Sequence, residues 1–328
     1  TNPENPFIES NWTTTEGGGG GFSSVAVKNN YAYVVQYHWG FHVIDVSDPS
    51  NPVEVANVIG DHNPNANDIK IFRDYLFVSV RNIETFRIYD ISDPTNPSLV
   101  TVFSEWSSYA EGIFVHEMPY GTYVFQSGFS SGWAIINVTD ILNPELLSTM
   151  PVPLGDSVEV KGNYMFIGSH NEGAWVIDVT DPLNPQEVVW IQVDGRNKGL
   201  AIDGNYLYGT GCWGRIWIVN ISNPEDPIIE VAGYGPNADL NPIVVDNYLY
   251  AQTYDANNQY VTIYDVSDKK NPQLIYQEDL GFGSWTQPLD RYGENYLIWG
   301  GSNGLFIVDI SNRTNPVVVG SYNIDMYT

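Results

Sequence analysis

Apolar residues in this chain gather into short runs rich in Val, Ile, Tyr, Phe and Trp, set apart by clusters of Asn, Asp, Gly, Pro and Ser. Nowhere do they sustain the three-to-four spacing of an amphipathic helix. One stretch states the pattern most fully: Phe41-His42-Val43-Ile44-Asp45-Val46-Ser47-Asp48-Pro49-Ser50-Asn51-Pro52. Its order is a pair of bulky apolar residues, Asp, a branched residue, Ser or Thr, Asp, then Pro and Asn-Pro. The same order returns at Ile88 to Pro94, Ile135 to Asp140, Val176 to Pro182, Ile218 to Pro224, Ile263 to Asp268 and Ile307 to Asn312. The first Asp or Asn of the seven copies stands at 45, 90, 137, 178, 220, 265 and 309, giving intervals of 45, 47, 41, 42, 45 and 44 residues. A period in that range marks a repeat architecture, in which each unit buries its faces against its neighbours.

Four strand-like runs surround each copy. In the first repeat they are Val25 to Val27, Tyr31 to Tyr37, Phe41 to Val46 and Val53 to Ile59. The second run opens on a tyrosine with another large residue two places on, as in Tyr31/Tyr33, Tyr75/Phe77, Tyr123/Phe125, Tyr164/Phe166, Tyr206/Tyr208, Tyr248/Tyr250 and Tyr296/Ile298. Period two puts each pair on one face of a sheet. Asn29-Asn30, Gly162-Asn163 and Gly204-Asn205 separate the first and second runs and accept the positive φ of a tight hairpin. The turn between runs three and four ends on Pro52, Pro97, Pro144, Pro185, Pro227, Pro272 or Pro316. A residue without an N–H belongs at a strand start or a sheet edge, so run four is predicted to be the outer edge strand. A four-stranded sheet repeated seven times with no helix between describes an all-β fold, a seven-bladed β-propeller with four-stranded antiparallel blades. An open stack of sheets is disfavoured, because neither end carries a polar capping repeat.

The seven copies resemble the LVIVD repeat, whose signature reads here Leu305-Phe306-Ile307-Val308-Asp309. The resemblance covers residues 23 to 328. It implies a β-propeller of the kind found in secreted or surface-attached proteins of bacteria and archaea, mostly without an assigned activity, and it implies no particular chemistry. Departures are local: Asn137 and Asn220 replace the Asp, Ile141, Lys269 and Arg313 replace the first Pro, and the third repeat has a longer first hairpin through Glu117 to Thr122.

Repeats that close into a ring make one domain of residues 23–328, although 328 residues would ordinarily suggest two. Residues 1–22 stand outside the repeat as an N-terminal extension. Phe7-Ile8 and Trp12 to Thr15 make a strand-like run, and Gly17 to Gly21 make a flexible tether into the first blade. The chain enters at the inner run of the first blade and leaves after the outer run of the seventh. No strand is therefore shared between them, and closure must come from face packing, from the extension, or from both.

Thirteen basic against 39 acidic residues give a net charge of −26, which speaks against nucleic acid and anionic lipid as partners. No apolar run approaches the length of a membrane-spanning helix. The single Cys212 excludes an internal disulfide framework and a thiolate zinc cluster. A start at Thr1 suits a mature protein whose signal peptide has been removed, so an extracellular or cell-surface setting is expected.

Candidate chemistry is sparse. Asp61, Asn63 and Asn65 alternate like the first ligands of a calcium loop, but Ala66 and Phe72 stand where that loop needs Gly and Glu. No cofactor is therefore expected, calcium being the one for which half a motif exists. His38, His62 and His170 come from different blades, with no local ligand spacing. Cys212 reads as packing. Trp133, Trp175 and Trp217 read as core, while Trp39, Trp106 and Trp285 stand between core and an aromatic rim for a protein or glycan ligand. Of four Asn-x-Ser/Thr sequons, Asn137 and Asn220 arise from the turn pattern itself, leaving Asn11 and Asn312 as the glycosylation candidates. Phe7, Ile8 and Trp12 are the assembly candidates. The expectation is a non-catalytic binding or structural scaffold whose residues 1–22 either clasp their own ring across the seam, favoured by the higher effective concentration of an intramolecular strand, or add to a neighbouring molecule, so that it self-associates. The alternative is an extracellular metal-dependent hydrolase or lyase with its centre at the axial mouth.

Overall fold

The computed structural model describes residues 22–36, 40–59, 65–81, 84–106, 110–128, 131–151, 155–169, 173–193, 196–212, 215–255, 259–279, 287–301 and 304–323. Seven times the chain makes the same antiparallel meander, each sheet holding four strands in chain order from the axis outward. The blades span residues 22–59, 65–103, 110–150, 155–191, 196–234, 237–278 and 287–323. Together they form a seven-bladed β-propeller without a helix among the described residues. The first blade is typical: Phe22–Lys28, Tyr31–Gln36, Gly40–Asp45 and Val53–Ile59. Its inner strand starts earlier than the run at Val25, because Phe22 is fully buried. The longer hairpin of blade three is an extension of both strands, Ala110–Met118 and Gly121–Gly128.

Local chemistry explains the repeat. At the end of each third strand, the side-chain oxygen of the motif Asp or Asn accepts the amide two residues on: Asp45 from Ser47, Asp90 from Ser92, Asn137 from Thr139, Asp178 from Thr180, Asn220 from Ser222, Asp265 from Ser267 and Asp309 from Ser311, all at 2.8–2.9 Å. The second acidic or amide residue repeats the device, as in Asp48 to Ser50 at 3.1 Å and Asn312 to Thr314 at 3.2 Å. Only an acceptor oxygen is needed, which is why Asp and Asn interchange here. The third and outer strands fall out of step in every blade at or beside the branched pair, at Val43/Ile44, Ile88/Tyr89, Ile135/Ile136, Val176/Ile177, Ile218/Val219, Ile263/Tyr264 and Ile307/Val308, and blade five has a second shift at Ile216/Ile218. Such bulges deepen the twist of a blade.

At two of the three positions where the first turn Pro is missing, a basic side chain folds over the blade instead, while Ile141 in blade three is apolar. Lys269 Nζ donates to Val266 O at 2.7 Å and stands 5.3 Å from the Tyr206 ring centre, and Arg313 Nη1 donates to Ile310 O at 2.6 Å. The inner hairpins carry positive φ at Gly162 and Gly204, at Asp246 and Asn247 together, and at Arg73 (φ 55°), a residue that usually avoids it.

The core is seven apolar clusters, each shared by two adjacent blades. The cluster at the seam joins Val25, Val34 and Ile44 of blade one to Ile298, Leu305 and Ile307 of blade seven, so the ring closes by the same face packing that holds every other pair. Polar contacts repeat this. Lys28 reaches the Arg73 carbonyl and Asp74 on the next hairpin, Lys161 reaches Gly204 O and Asn205, and Tyr292 closes the circle with a bond to Asn30 Oδ1 at 3.1 Å. On the perimeter Thr101 Oγ1 donates to Ile141 O and Ser148 Oγ to Pro182 O, each at 2.8 Å, bridging an outer strand to the next blade's turn. At the seam the same place is taken by Gly320, where a Cβ would stand 2.1 Å from Pro49 O.

Candidate functional site

Each inner strand places one residue opposite the second large residue of the neighbouring strand. These pairs are Ala26 to Tyr33, Lys70 to Phe77, Phe114 to Phe125, Glu159 to Phe166, Ala201 to Tyr208, Ile243 to Tyr250 and Asp290 to Ile298. Seven-fold repetition turns that register position into a ring about the axis, and three of its seven members are ionisable. A cavity of about 400 Å³ lies on the axis, bounded by inner strands of six blades, with Asp68, Lys70, Glu159 and Asp290 in its lining.

Two of the carboxylates do structural work. Asp290 accepts the Val27 amide of blade one at 2.7 Å and its neighbour's Arg291 amide at 2.7 Å. Asp68 accepts the Ser24 hydroxyl at 2.8 Å from the blade before and the Ile113 amide at 3.0 Å from the blade after. These amides lie on the inward edges of inner strands, where no further strand can satisfy them. Burial pushes the Asp290 carboxyl up despite those bonds. Glu159 is pushed up to about 7, first by burial, with Asp68 adding and Lys70 opposing. Lys70 feels burial most strongly, which lowers an ammonium, yet Asp68, Glu159 and Asp290 together hold it above the usual lysine range. Lys70 and Glu159 keep partial accessible surface because they face the cavity, while protein surrounds them on all other sides.

The second candidate surface is the perimeter. The outer strands run along Val53–Ile59, Ser98–Phe103, Glu145–Met150, Gln186–Ile191, Ile228–Tyr234, Gln273–Glu278 and Val317–Asn323. Each is hydrogen-bonded on one side only within its sheet. Leu99 (51% exposed), Ile228 (58%) and Leu274 (47%) stand out from them.

Phe7, Ile8, Asn11, Trp12, His38, Trp39, Asp61, His62, Asn63, His170 and Trp285, and the side chains of Asn65 and Cys212, lie outside the described residues. Among the described residues no group of three His, Cys, Asp or Glu is arranged to hold a metal. Trp133, Trp217 and Trp106 are buried in the inter-blade core, whereas Trp175 is half-buried and stacks on Trp190 with ring centres 5.7 Å apart. His42 is buried with Nδ1 2.6 Å from Glu54 and Nε2 2.9 Å from Gln36, a packed polar pair of contacts within blade one. Asn312 is exposed, while Asn137 and Asn220 are half-buried at the ends of third strands. The axial quartet was missed. Counting back from each hairpin to a common position gives Ala, Lys, Phe, Glu, Ala, Ile and Asp, and charges in so apolar a column were the available signal.

Comparison with known proteins agrees with this architecture. The sequence model of the LVIVD repeat matches residues 19–59, 64–104, 155–192, 194–232 and 293–324. No curated protein sequence matches. Among solved structures, a functionally unknown protein from Desulfotomaculum acetoxidans is 15% identical with a TM-score of 0.72, covering 89% of this chain and 95% of that one. The periplasmic gluconolactonase PpgL of Pseudomonas aeruginosa is 13% identical with a TM-score of 0.71, covering 90% and 97%. The computationally designed protein Ika8 is 13% identical with a TM-score of 0.67, covering 96% and 90%. Likeness at such identity concerns the fold alone.

Proposed function

This chain belongs to the LVIVD repeat family, and on that premise we propose that it is a non-catalytic binding and structural scaffold, extracellular or at the cell surface, that self-associates through residues 1–22. The observation that carries the reading is the completeness of the ring. All seven sheets have four strands of their own and the seam has its own apolar cluster, so residues 1–21 are surplus to closure. Phe7, Ile8 and Trp12 nevertheless favour burial, at about 25 cal/mol per Å² of apolar area. Outer strands with one free side and exposed Leu99, Ile228 and Leu274 offer an edge to which a tethered strand can add. Because the seam already has its own packing, a neighbour's edge is the better acceptor than a clasp across the chain's own seam, and head-to-tail addition then makes a chain of rings.

Deleting residues 1–16 tests this by sedimentation and thermal unfolding together. Assembly through the extension predicts a monomer of unchanged unfolding temperature that no longer associates. A clasp predicts a lower unfolding temperature with unchanged sedimentation, and a deletion that alters neither defeats both.

If the source modifies sequons, glycan occupancy would report on the surface setting. Asn312 is exposed in its turn and uses only its oxygen, for the Thr314 amide and hydroxyl. Peptide mass spectrometry of the protein from its source should find glycan on Asn11 or Asn312 before Asn137 or Asn220. The reverse order would overturn the exposure argument.

A further inference from the structure

The four ionisable groups on the axis are not equally engaged. Asp68 and Asp290 have oxygens on backbone amides of neighbouring blades. Lys70 and Glu159 stand two blades apart in the same lining, and among the described residues neither has a hydrogen bond or a direct ion pair. The field of Asp68, Glu159 and Asp290 keeps Lys70 charged without a direct contact, while Glu159 bears a burial cost that Lys70 only partly offsets, so both groups face the cavity with their hydrogen-bonding capacity unused. Facing one cavity of about 400 Å³, they match a molecule that carries both charges, and that volume suits a small one.

We propose that the axial cavity binds a small zwitterion of the amino-acid class, its carboxylate on Lys70 and its ammonium on Glu159. A metal cation would meet the Lys70 ammonium inside the same lining. A simple anion would meet three carboxyl groups. A zwitterion satisfies both ends and brings no net charge of its own. Glu159 also couples the event to protons: with its carboxyl at about 7, an ammonium set against it favours the ionised form. Binding near neutral pH therefore releases part of a proton.

Calorimetric titration of the full chain with L-alanine, ethylamine and propionate tests the proposal. Saturable binding of L-alanine is expected, with each single-ended probe weaker by about tenfold or more. The heat at pH 7 should vary with the ionisation enthalpy of the buffer. Lys70→Met and Glu159→Gln should each weaken alanine by about tenfold or more. Ala201→Phe fills the cavity from an uncharged position and should abolish binding while the unfolding temperature holds, which separates loss of the site from loss of the fold. No saturable heat up to roughly 10 mM alanine, equal binding of ethylamine or propionate, or alanine binding indifferent to Ala201→Phe would each overturn it.

Discussion

The carboxylate of Asp290 accepts the amide of Val27 at 2.7 Å, tying the last blade to the first across the seam. Val27 lies on the inward edge of its blade, so no strand supplies another acceptor. Asp290→Ala should therefore cost about 1–3 kcal/mol, the penalty for an orphaned buried donor. Asp290→Asn keeps one of the two acceptor oxygens that bind the Val27 and Arg291 amides and removes a desolvated charge, so it should cost less than the alanine. Chemical denaturation of the three proteins decides it, and equal losses for Ala and Asn would remove the seam bond from the account.

The turn oxygen at Asp178 is expected to act through its bond to the Thr180 amide at 2.8 Å. Asp178→Ala should lower stability by about 1 kcal/mol. Asp178→Asn should be nearly neutral, since Asn220 makes the same bond to Ser222 at 2.9 Å in blade five. Thermal unfolding that ranks Asn with Ala would show that the charge, rather than the acceptor, matters.

Gly320 faces the Pro49 carbonyl so closely that a methyl group has no room. Gly320→Ala should lose about 1–3 kcal/mol through overpacking. Thr101 and Ser148, which fill the equivalent place in blades two and three, should accept alanine at a cost near that of one hydrogen bond, about 1 kcal/mol. An unchanged unfolding temperature for Gly320→Ala would mean that the perimeter seam yields freely.

Stability should form a dome against pH. Asp90, Asp140, Asp265 and Asp268 are held below the usual carboxylate range by bonds from their own turns, chiefly the Ser92 amide, the Asn143 side chain, the Ser267 hydroxyl and the Asn271 side chain. A depressed carboxyl contributes stability above its unfolded value and loses it as pH falls through the folded one, so the acid limb lies below about pH 4. Glu159 has the opposite sign. Raised from 4.5 to about 7 by burial, it favours the folded state below its unfolded value, and that contribution is lost as pH rises through 7. The fall is up to about 3 kcal/mol, in the same direction as the self-repulsion of a chain carrying −26. Denaturation midpoints from pH 3 to 9 should show both limbs, and Glu159→Gln should flatten the alkaline one. A variant as steep as the parent protein would assign that limb to overall charge.

The blades were legible because their causes are local. The Tyr pairs of the second strands, the Asp or Asn that receives an amide two residues on, and the Pro at each outer strand are all written within a dozen residues. Departures were legible too: blades three and six, which the family's sequence model passes over, carry Ile141 and Lys269 for the turn Pro, yet Lys269 restores contact by folding onto Val266 O. Arg73 gave no warning of its positive φ, because its hairpin is held from outside by Lys28. Lys70, Glu159 and Asp290 were hidden for a different reason: they lie in three blades and become neighbours only when the ring closes.

Six interfaces of the ring join blades that follow one another in the chain, and the seventh joins the first blade to the last through side-by-side packing and bonds such as those of Val25, Ile298, Asp290 and Gly320, with no strand shared between them among the described residues. Because that interface is packed like the rest, the order in which the blades are threaded is immaterial to the finished ring. A chain rearranged to begin at blade five, with blade seven spliced to blade one, should fold to the same disc. What connectivity does decide is where the disc gives way under load. A pull on the two ends loads only the seam, and the ring would unlatch there and uncurl one blade at a time.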